Sequence, residues 1–228
     1  MGVPVKPVLT LAIIAAVLTA VLALVASFTR ERIASNEQAW IRQRLDALVP
    51  PATHDNDLLT DAIAVTAPDL LGSSQPVKIY RARHNGAPVA AVLRPIAPDG
   101  YRGPIELLVA VGPDGRLIGV QVIRHQETPG LGDAFESRDI HWLERFRGRS
   151  LTDPPSQRWT VRRDGGDFDA FTGATITPRA IIKAVRNALE YYQRNNQRIF
   201  DQPAQCATTV LASSAARRSS SPSVRCSR

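Results

Sequence analysis

The chain opens on an apolar block. Residues 8–28 run without a charge, broken only by Thr10, Thr19 and Ser27. At about 1.5 Å rise per residue, a helix of this length spans roughly 30 Å, the hydrocarbon thickness of a bilayer. A core helix of comparable length would carry a polar face, and the apolar core of a cleaved signal peptide is usually only about 7–15 residues. The pattern predicts an uncleaved, single-pass membrane anchor. Over residues 30–48 the character changes: Ile33, Trp40, Ile41, Leu45 and Leu48 recur at near-helical spacing among charged and amide side chains. This predicts a connecting helix, closed by Val49-Pro50-Pro51.

Period-two signals follow. Residues 77–83 and 88–94 flank His84-Asn85-Gly86-Ala87, and Asn-Gly is a strong hairpin signal. Residues 105–111 and 116–124 flank Pro113-Asp114-Gly115, a second turn signal. Together these runs predict an antiparallel meander. A short helix is expected near 141–146, a further strand at 158–162, and a last helix over 178–194 with Ile181, Val185, Leu189 and Tyr192 on one face. The predicted class is α+β: a transmembrane helix, then a single domain with an antiparallel sheet and packed helices. The expected organisation is a cytoplasmic N-terminus and anchor at 1–29, a connecting helix at 30–50, one folded domain at 51–201, and a disordered basic Ser/Arg-rich tail at 202–228.

The formal net charge of +7 invites a nucleic-acid reading. Its distribution argues against one. The stretch 206–228 holds four arginines and no acidic residue, so positions 1–205 carry 24 basic against 21 acidic residues. No basic-aromatic interleaving or zinc-finger spacing accompanies them, and no nucleic-acid partner is expected. Both cysteines, Cys206 and Cys226, lie in the tail. A structural zinc site of cysteine type and a cysteine nucleophile in the domain are thereby excluded, while a tail disulfide and free thiols both stay open. Lys6 on one side of the anchor and Arg30 and Arg32 on the other leave its orientation undecided by charge.

The richest stretch for chemistry is residues 164–180. Thr177 suits a helix N-cap and Pro178 the first helical position. Gly173 and Ala174 let backbone amides approach a ligand, and a helix N-terminus favours a phosphate. Thr172, Thr175 and Thr177 add hydroxyls. On mechanics alone, this is equally a plain loop-to-helix junction.

Asp169-Ala170-Phe171-Thr172-Gly173-Ala174-Thr175 resembles the flavinylation motif of FMN-binding domains, Asp-x-x-Ser/Thr-Gly-Ala-Thr. The anchor, the segment from His125 through Glu127-Thr128-Pro129-Gly130-Leu131-Gly132-Asp133, the run Ala97-Pro98-Asp99-Gly100-Tyr101 and Pro178-Arg179-Ala180 extend the likeness over roughly residues 1–200. Together they resemble the RnfG family, the G-type subunits of Rnf (Rsx) electron transport complexes. The tail has no counterpart in that pattern.

The resemblance implies a membrane-anchored electron-transfer subunit with FMN joined to Thr175 through a phosphoester, attached by a separate flavin transferase that recognises Asp169. It implies Thr172, Gly173, Ala174 and Thr177 around the phosphate, and Glu127, Thr128, Leu131 and Gly132 around the flavin ring. It further implies other membrane and iron–sulfur subunits as partners, lipid around the anchor, coupling to ion translocation in the assembled complex, and a bacterial inner-membrane location with the FMN domain in the periplasm. No side-chain acid–base catalysis is expected, since the cofactor carries the chemistry. A related possibility is the equivalent flavin-carrying component of a sodium-pumping NADH:quinone reductase, which shares the motif. Another is an anchored assembly or binding protein without flavin.

Other residues read more plainly. Pro129-Gly130 fits the centre of a type II turn. His54, His84, His125 and His141 are scattered without metal-ligand spacing. Residues 100–103 suit a turn between strands, and the resemblance allows them a place near the flavin. Trp159 and Tyr101 are expected chiefly as core aromatics, with ring stacking as the alternative. Arg179 and Lys183 fall in the first turns of the last helix, facing either the phosphate or solvent.

Overall fold

A computed structural model describes residues 5–136, 141–171 and 173–204. The tail containing Cys206 and Cys226, and Thr172 of the motif, lie outside the described residues. The first helix, α1, runs unbroken over Val5–Leu48. The apolar block and the amphipathic stretch that follows thus lie on one helix. No proline or glycine interrupts residues 8–48 to end it. Leu9–Ala26, with a mean hydropathy of 2.8, is long and apolar enough to cross a membrane. The chain divides into two compact units between Gln43 and Arg44.

The second unit is built on an antiparallel sheet. Its strands are β1 (Ala62–Val65), β2 (Val77–His84), β3 (Ala87–Leu93), β4 (Ile96–Ala97), β5 (Ile105–Val111) and β6 (Leu117–Arg124). β2, β3, β5 and β6 form the expected meander, joined by antiparallel pairs. At the β2–β3 turn Asn85 and Gly86 both take positive φ, 50° and 80°, as a tight primed hairpin turn requires. β4 continues β3: Leu93 opposes Val109 and Ile96 opposes Glu106, one uninterrupted register along β5. Pro95 breaks the strand because it has no N–H to donate, yet its carbonyl still accepts from the Leu107 amide at 3.0 Å. β1 adds to the free edge of β2.

Both faces of the sheet are covered. The row Ile79, Leu93, Val109 and Val120 packs in the main core with Ile181, Val185 and Leu189 of the last helix, α3 (Ile176–Asp201), α2 being the short helix Pro68–Leu71. The opposite row, Tyr80, Val92, Ala110 and Gly119, is also buried or glycine. Leu48 sits on it: a Cβ on Gly119 would lie 2.9 Å from Leu48 Cδ2. This two-sided burial explains why β5 reads Leu-Leu-Val-Ala-Val rather than alternating.

The strand expected at 158–162 does not form. Two short 3₁₀ turns, Ser156–Arg158 and Arg162–Asp164, surround it, and only Val161 bridges to Phe168. Trp159 faces inward through aromatic packing rather than strand pairing, and Val161 is buried in the same core. Trp159 joins Trp142, Phe146 and Phe168, the last two stacked at 4.7 Å. The helix expected near 141–146 appears as a 3₁₀ helix, Trp142–Phe146.

Candidate functional site

Three segments converge where α3 begins. The first is the loop after β6. Thr128 O accepts from Leu131 N at 3.2 Å, and Gly130 has φ 78°, the left-handed backbone a type II turn needs at its third position. The second is the motif turn, in which Ala174 N donates to Phe171 O at 3.1 Å and Gly173 has φ 80°. The third is the turn at residues 100–103, where Gly103 also has positive φ. Between them lies a cleft of about 230 Å³, lined by Tyr101, Glu127, Thr128, Leu131, Gly132 and residues 173–177.

The motif is held from beneath. Phe171 is buried against Trp142, with ring centroids 5.0 Å apart, and against Phe135 at 6.3 Å. The Trp142 indole N–H donates to the Asp169 carbonyl at 2.8 Å. The Asp169 carboxylate pairs with Arg145 and, at 3.1 Å, with Arg162. The segment leading to Thr175 is therefore pinned at Asp169 and at Phe171.

α3 starts two residues earlier than expected. Thr175 is its N-cap residue, with φ −105° and ψ −20°, and its hydroxyl makes no capping hydrogen bond. Thr177 lies inside the first turn and is buried, its hydroxyl donating to Glu127 Oε2 at 2.5 Å. Pro178 is tolerated there because first-turn amides have no intrahelical acceptor. The hydroxyl expected to cap the helix is thus spent on a distant carboxylate, and Thr175, partly exposed at the cleft, keeps a side chain free of helix capping.

All the ring-lining candidates, Glu127, Thr128, Leu131 and Gly132, border this one cleft, as do Gly173, Ala174, Thr175 and Thr177. Glu127 is only 4% exposed, and both its oxygens are engaged within the protein. Tyr101 is not a core aromatic: it is 66% exposed at the cleft mouth, whereas Trp159 is buried as expected. Ile176 is a cleft residue that the pattern alone did not single out. Its sole signal was an apolar side chain between two threonines. Tyr101, Leu131 and Ile176 are the exposed large apolar residues among those described beyond α1, and all three line this cleft. Such clustering marks a ligand or partner surface.

Arg179 and Lys183 do not stand free. Arg179 makes two hydrogen bonds to Asp164, at 2.7 and 2.8 Å, and Lys183 pairs with Asp99 at 2.6 Å. Hydrogen bonding from Arg179 holds the Asp164 carboxyl below its ordinary range. His125 forms no metal cluster among the described residues; Nε2 faces Glu136 Oε1 at 3.0 Å and Nδ1 accepts from the Glu127 amide at 3.2 Å.

The arrangement suits a flat, amphipathic group carrying a phosphate. Apolar side chains rim the cleft, amides and hydroxyls line its floor, and a helix N-terminus closes one end. A Cβ on Gly132 would meet Glu127 Oε2 at 2.8 Å, so the floor is closed to any larger residue there.

Comparison with known proteins agrees with this geometry. Residues 100–190, which contain every cleft residue, match the FMN-binding domain family, and residues 5–48 match the RnfG N-terminal region. The chain is 44% identical over 198 residues to the G-type subunit of the ion-translocating oxidoreductase complex of Vibrio atlanticus, covering 87% of this chain and 94% of that protein. The corresponding protein of Photorhabdus laumondii is 46% identical over 185 residues, 81% of this chain and 88% of its own. That of Shewanella loihica is 42% identical over 196 residues, 86% and 92%. With likeness covering 81–87% of its length, the chain belongs to the RnfG family of ion-translocating oxidoreductase complexes and carries an FMN-binding domain.

Proposed function

We propose that this protein is the membrane-anchored electron-transfer subunit of an Rnf-type ion-translocating oxidoreductase complex, carrying FMN on Thr175 through a phosphoester. The observation that carries the reading is the single cleft in which the Thr175 side chain, the N-terminus of α3 and the loop at 127–132 meet. Thr175 would hold the phosphoryl group, with the amides of α3's first turn beside it. Leu131, Ile176 and Tyr101 would flank the ring, and Thr128 would meet its polar edge. The bound flavin supplies the redox chemistry, and the protein supplies position and surroundings.

The size of the cleft favours a covalent link. Its volume of about 230 Å³ falls below the roughly 300–1,000 Å³ of sites that enclose small ligands. An open cleft of that size covers only part of the cofactor, and a tether makes occupancy independent of free flavin. Attachment calls for a separate flavin transferase, for which Asp169, fixed between Arg145 and Arg162, is the recognition residue. The anchor at Leu9–Ala26 would place the protein in the bacterial inner membrane, with the FMN domain in the periplasm, beside membrane and iron–sulfur subunits. Ion translocation would belong to the assembled complex. The likeness of residues 5–48 to the RnfG N-terminal region supports this reading over the sodium-pumping reductase.

Expression with and without a flavin transferase tests the proposal. After denaturation, flavin fluorescence should travel with the polypeptide only in the co-expressed sample, and peptide mass mapping should place the adduct on Thr175. Thr175→Ala should abolish it. Co-expressed wild-type protein that carries no flavin would sink the reading.

A further inference from the structure

Among the described residues, four polar or charged side chains are buried: Arg81, Glu127, Ser150 and Thr177. Two of these are each other's partner, 50 positions apart in sequence, at the floor of the cleft. A carboxylate is placed in such surroundings only where donors meet it. Glu127 Oε1 accepts from the Arg102 amide at 3.2 Å, and Oε2 accepts from the Thr177 hydroxyl at 2.5 Å. Its own backbone N–H donates to His125 Nδ1 at 3.2 Å, which anchors the start of the loop at the end of β6. Two glycines are shaped around the same side chain. A Cβ on Gly100 would stand 3.0 Å from Glu127 Oε1, and one on Gly132 would stand 2.8 Å from Oε2.

One carboxylate thus joins the turn at 100–103, the loop at 127–132 and the first turn of α3. The first two segments lie outside the sheet, so no strand ladder holds them against α3. Thr177 is two residues beyond Thr175, so whatever fixes Thr177 also fixes the direction in which the Thr175 side chain leaves the helix end.

We propose that Glu127 is the positioning residue of this site, a clamp that sets the three walls of the cleft and presents the Thr175 hydroxyl for attachment of the flavin phosphate. In that transfer the Thr175 oxygen bonds to the flavin-side phosphorus of a flavin dinucleotide donor, the pyrophosphate bond breaks, a nucleoside monophosphate leaves, and the hydroxyl proton passes to the solvent. Glu127 acts through Thr177 and the Arg102 amide rather than by touching the reacting atoms. The inference rests on the function proposed above and adds to it the residue that prepares the acceptor.

The test uses the full chain, with and without co-expressed flavin transferase, and the variants Thr177→Val, Thr177→Ser and Glu127→Gln. Thr177→Val keeps the volume and removes the hydroxyl. Two quantities are read: hydrogen exchange at the Arg102 amide in flavin-free protein, and the initial rate of flavin attachment. Thr177→Val and Glu127→Gln should each speed the exchange about tenfold and slow attachment about tenfold, on the scale of one lost charge-assisted hydrogen bond. Thr177→Ser should restore both. Unchanged exchange in Thr177→Val and Glu127→Gln overturns the clamp. Faster exchange with undiminished attachment overturns the positioning role, leaving a merely structural bond. Failure of Thr177→Ser to restore attachment overturns it as well. Should wild-type protein take up no flavin, the functional reading fails instead, and the exchange measurement alone decides the clamp.

Discussion

Single atoms decide much at the cleft. Gly132 has no unusual φ, yet a Cβ there would also lie 3.0 Å from Glu127 Cβ and 3.4 Å from the Thr128 amide. Glu127 cannot swing aside without giving up Thr177. Gly132→Ala should therefore cost about 1–3 kcal/mol, the range for overpacking, seen as a lowered midpoint in thermal unfolding. Gly130 supplies the contrast. A Cβ there meets nothing, and only its φ of 78° opposes a substitution. Arg179 and Asp164 make a second residue-scale case. The hydrogen bonds from Arg179, then its charge and that of Arg163, keep the Asp164 carboxyl depressed. A depressed carboxylate adds stability above its unfolded pKa and loses it as pH falls through the folded value, here on the acid side of the ordinary carboxylate range. Arg179→Gln should move the Asp164 titration upward by carboxyl NMR and shift that loss to higher pH.

At the scale of elements, α3 is held at both ends by side chains from afar. Its start is tied by Thr177 to Glu127. Its end is tied by two β2 arginines. Arg81 donates to the carbonyls of Ile199 and Gln202, and Arg83 donates to that of Phe200 at 2.6 Å. Carbonyls at a helix C-terminus have no amide donor from within the helix. Asp61 links the two arginines from β1's side, pairing with Arg81 and, at 2.9 Å, with Arg83. Arg81 is 2% exposed, so Arg81→Met would strand the C-terminal carbonyls and part of the Asp61 charge. A loss of about 3–5 kcal/mol is expected in denaturant unfolding, the cost of breaking a buried pair from one side. Because α3 carries Thr175 at its other end, the same change should loosen the cleft without touching it. This tie explains why the helix runs to Asp201, seven residues beyond the end predicted from its apolar face at Arg194.

For the whole molecule, the +7 net charge describes the tail more than the site. The domain bears dispersed ion pairs, and among the described residues beyond α1 its exposed large apolar side chains gather at one cleft. The side of the membrane proposed above for the domain is open to a direct check. If the domain is periplasmic, protease added to intact spheroplasts should digest it while leaving a protected fragment containing Leu9–Ala26. Full protection of the domain until lysis would place it in the cytoplasm.

Local chemistry was legible from the sequence. The long apolar helix, the meander, the Asn-Gly hairpin and the positive φ of Gly130 follow from period and turn residues, which act through near neighbours. The loop at 127–132 and Thr175 were named through the resemblance to FMN-binding domains, whereas Ile176 was brought to the cleft only by the fold. Tertiary structure decided where partners compete. Thr177 could cap its own helix or serve Glu127, and only the fold brings that carboxylate within reach. Tyr101 could pack inward or stand at a cleft mouth, and its type fits either. The run at 158–162 alternates like a strand, but its apolar side chains joined the aromatic cluster instead of a strand edge. Sequence determined which groups are present and how the chain turns locally; contacts between segments tens of residues apart determined which group each of them binds.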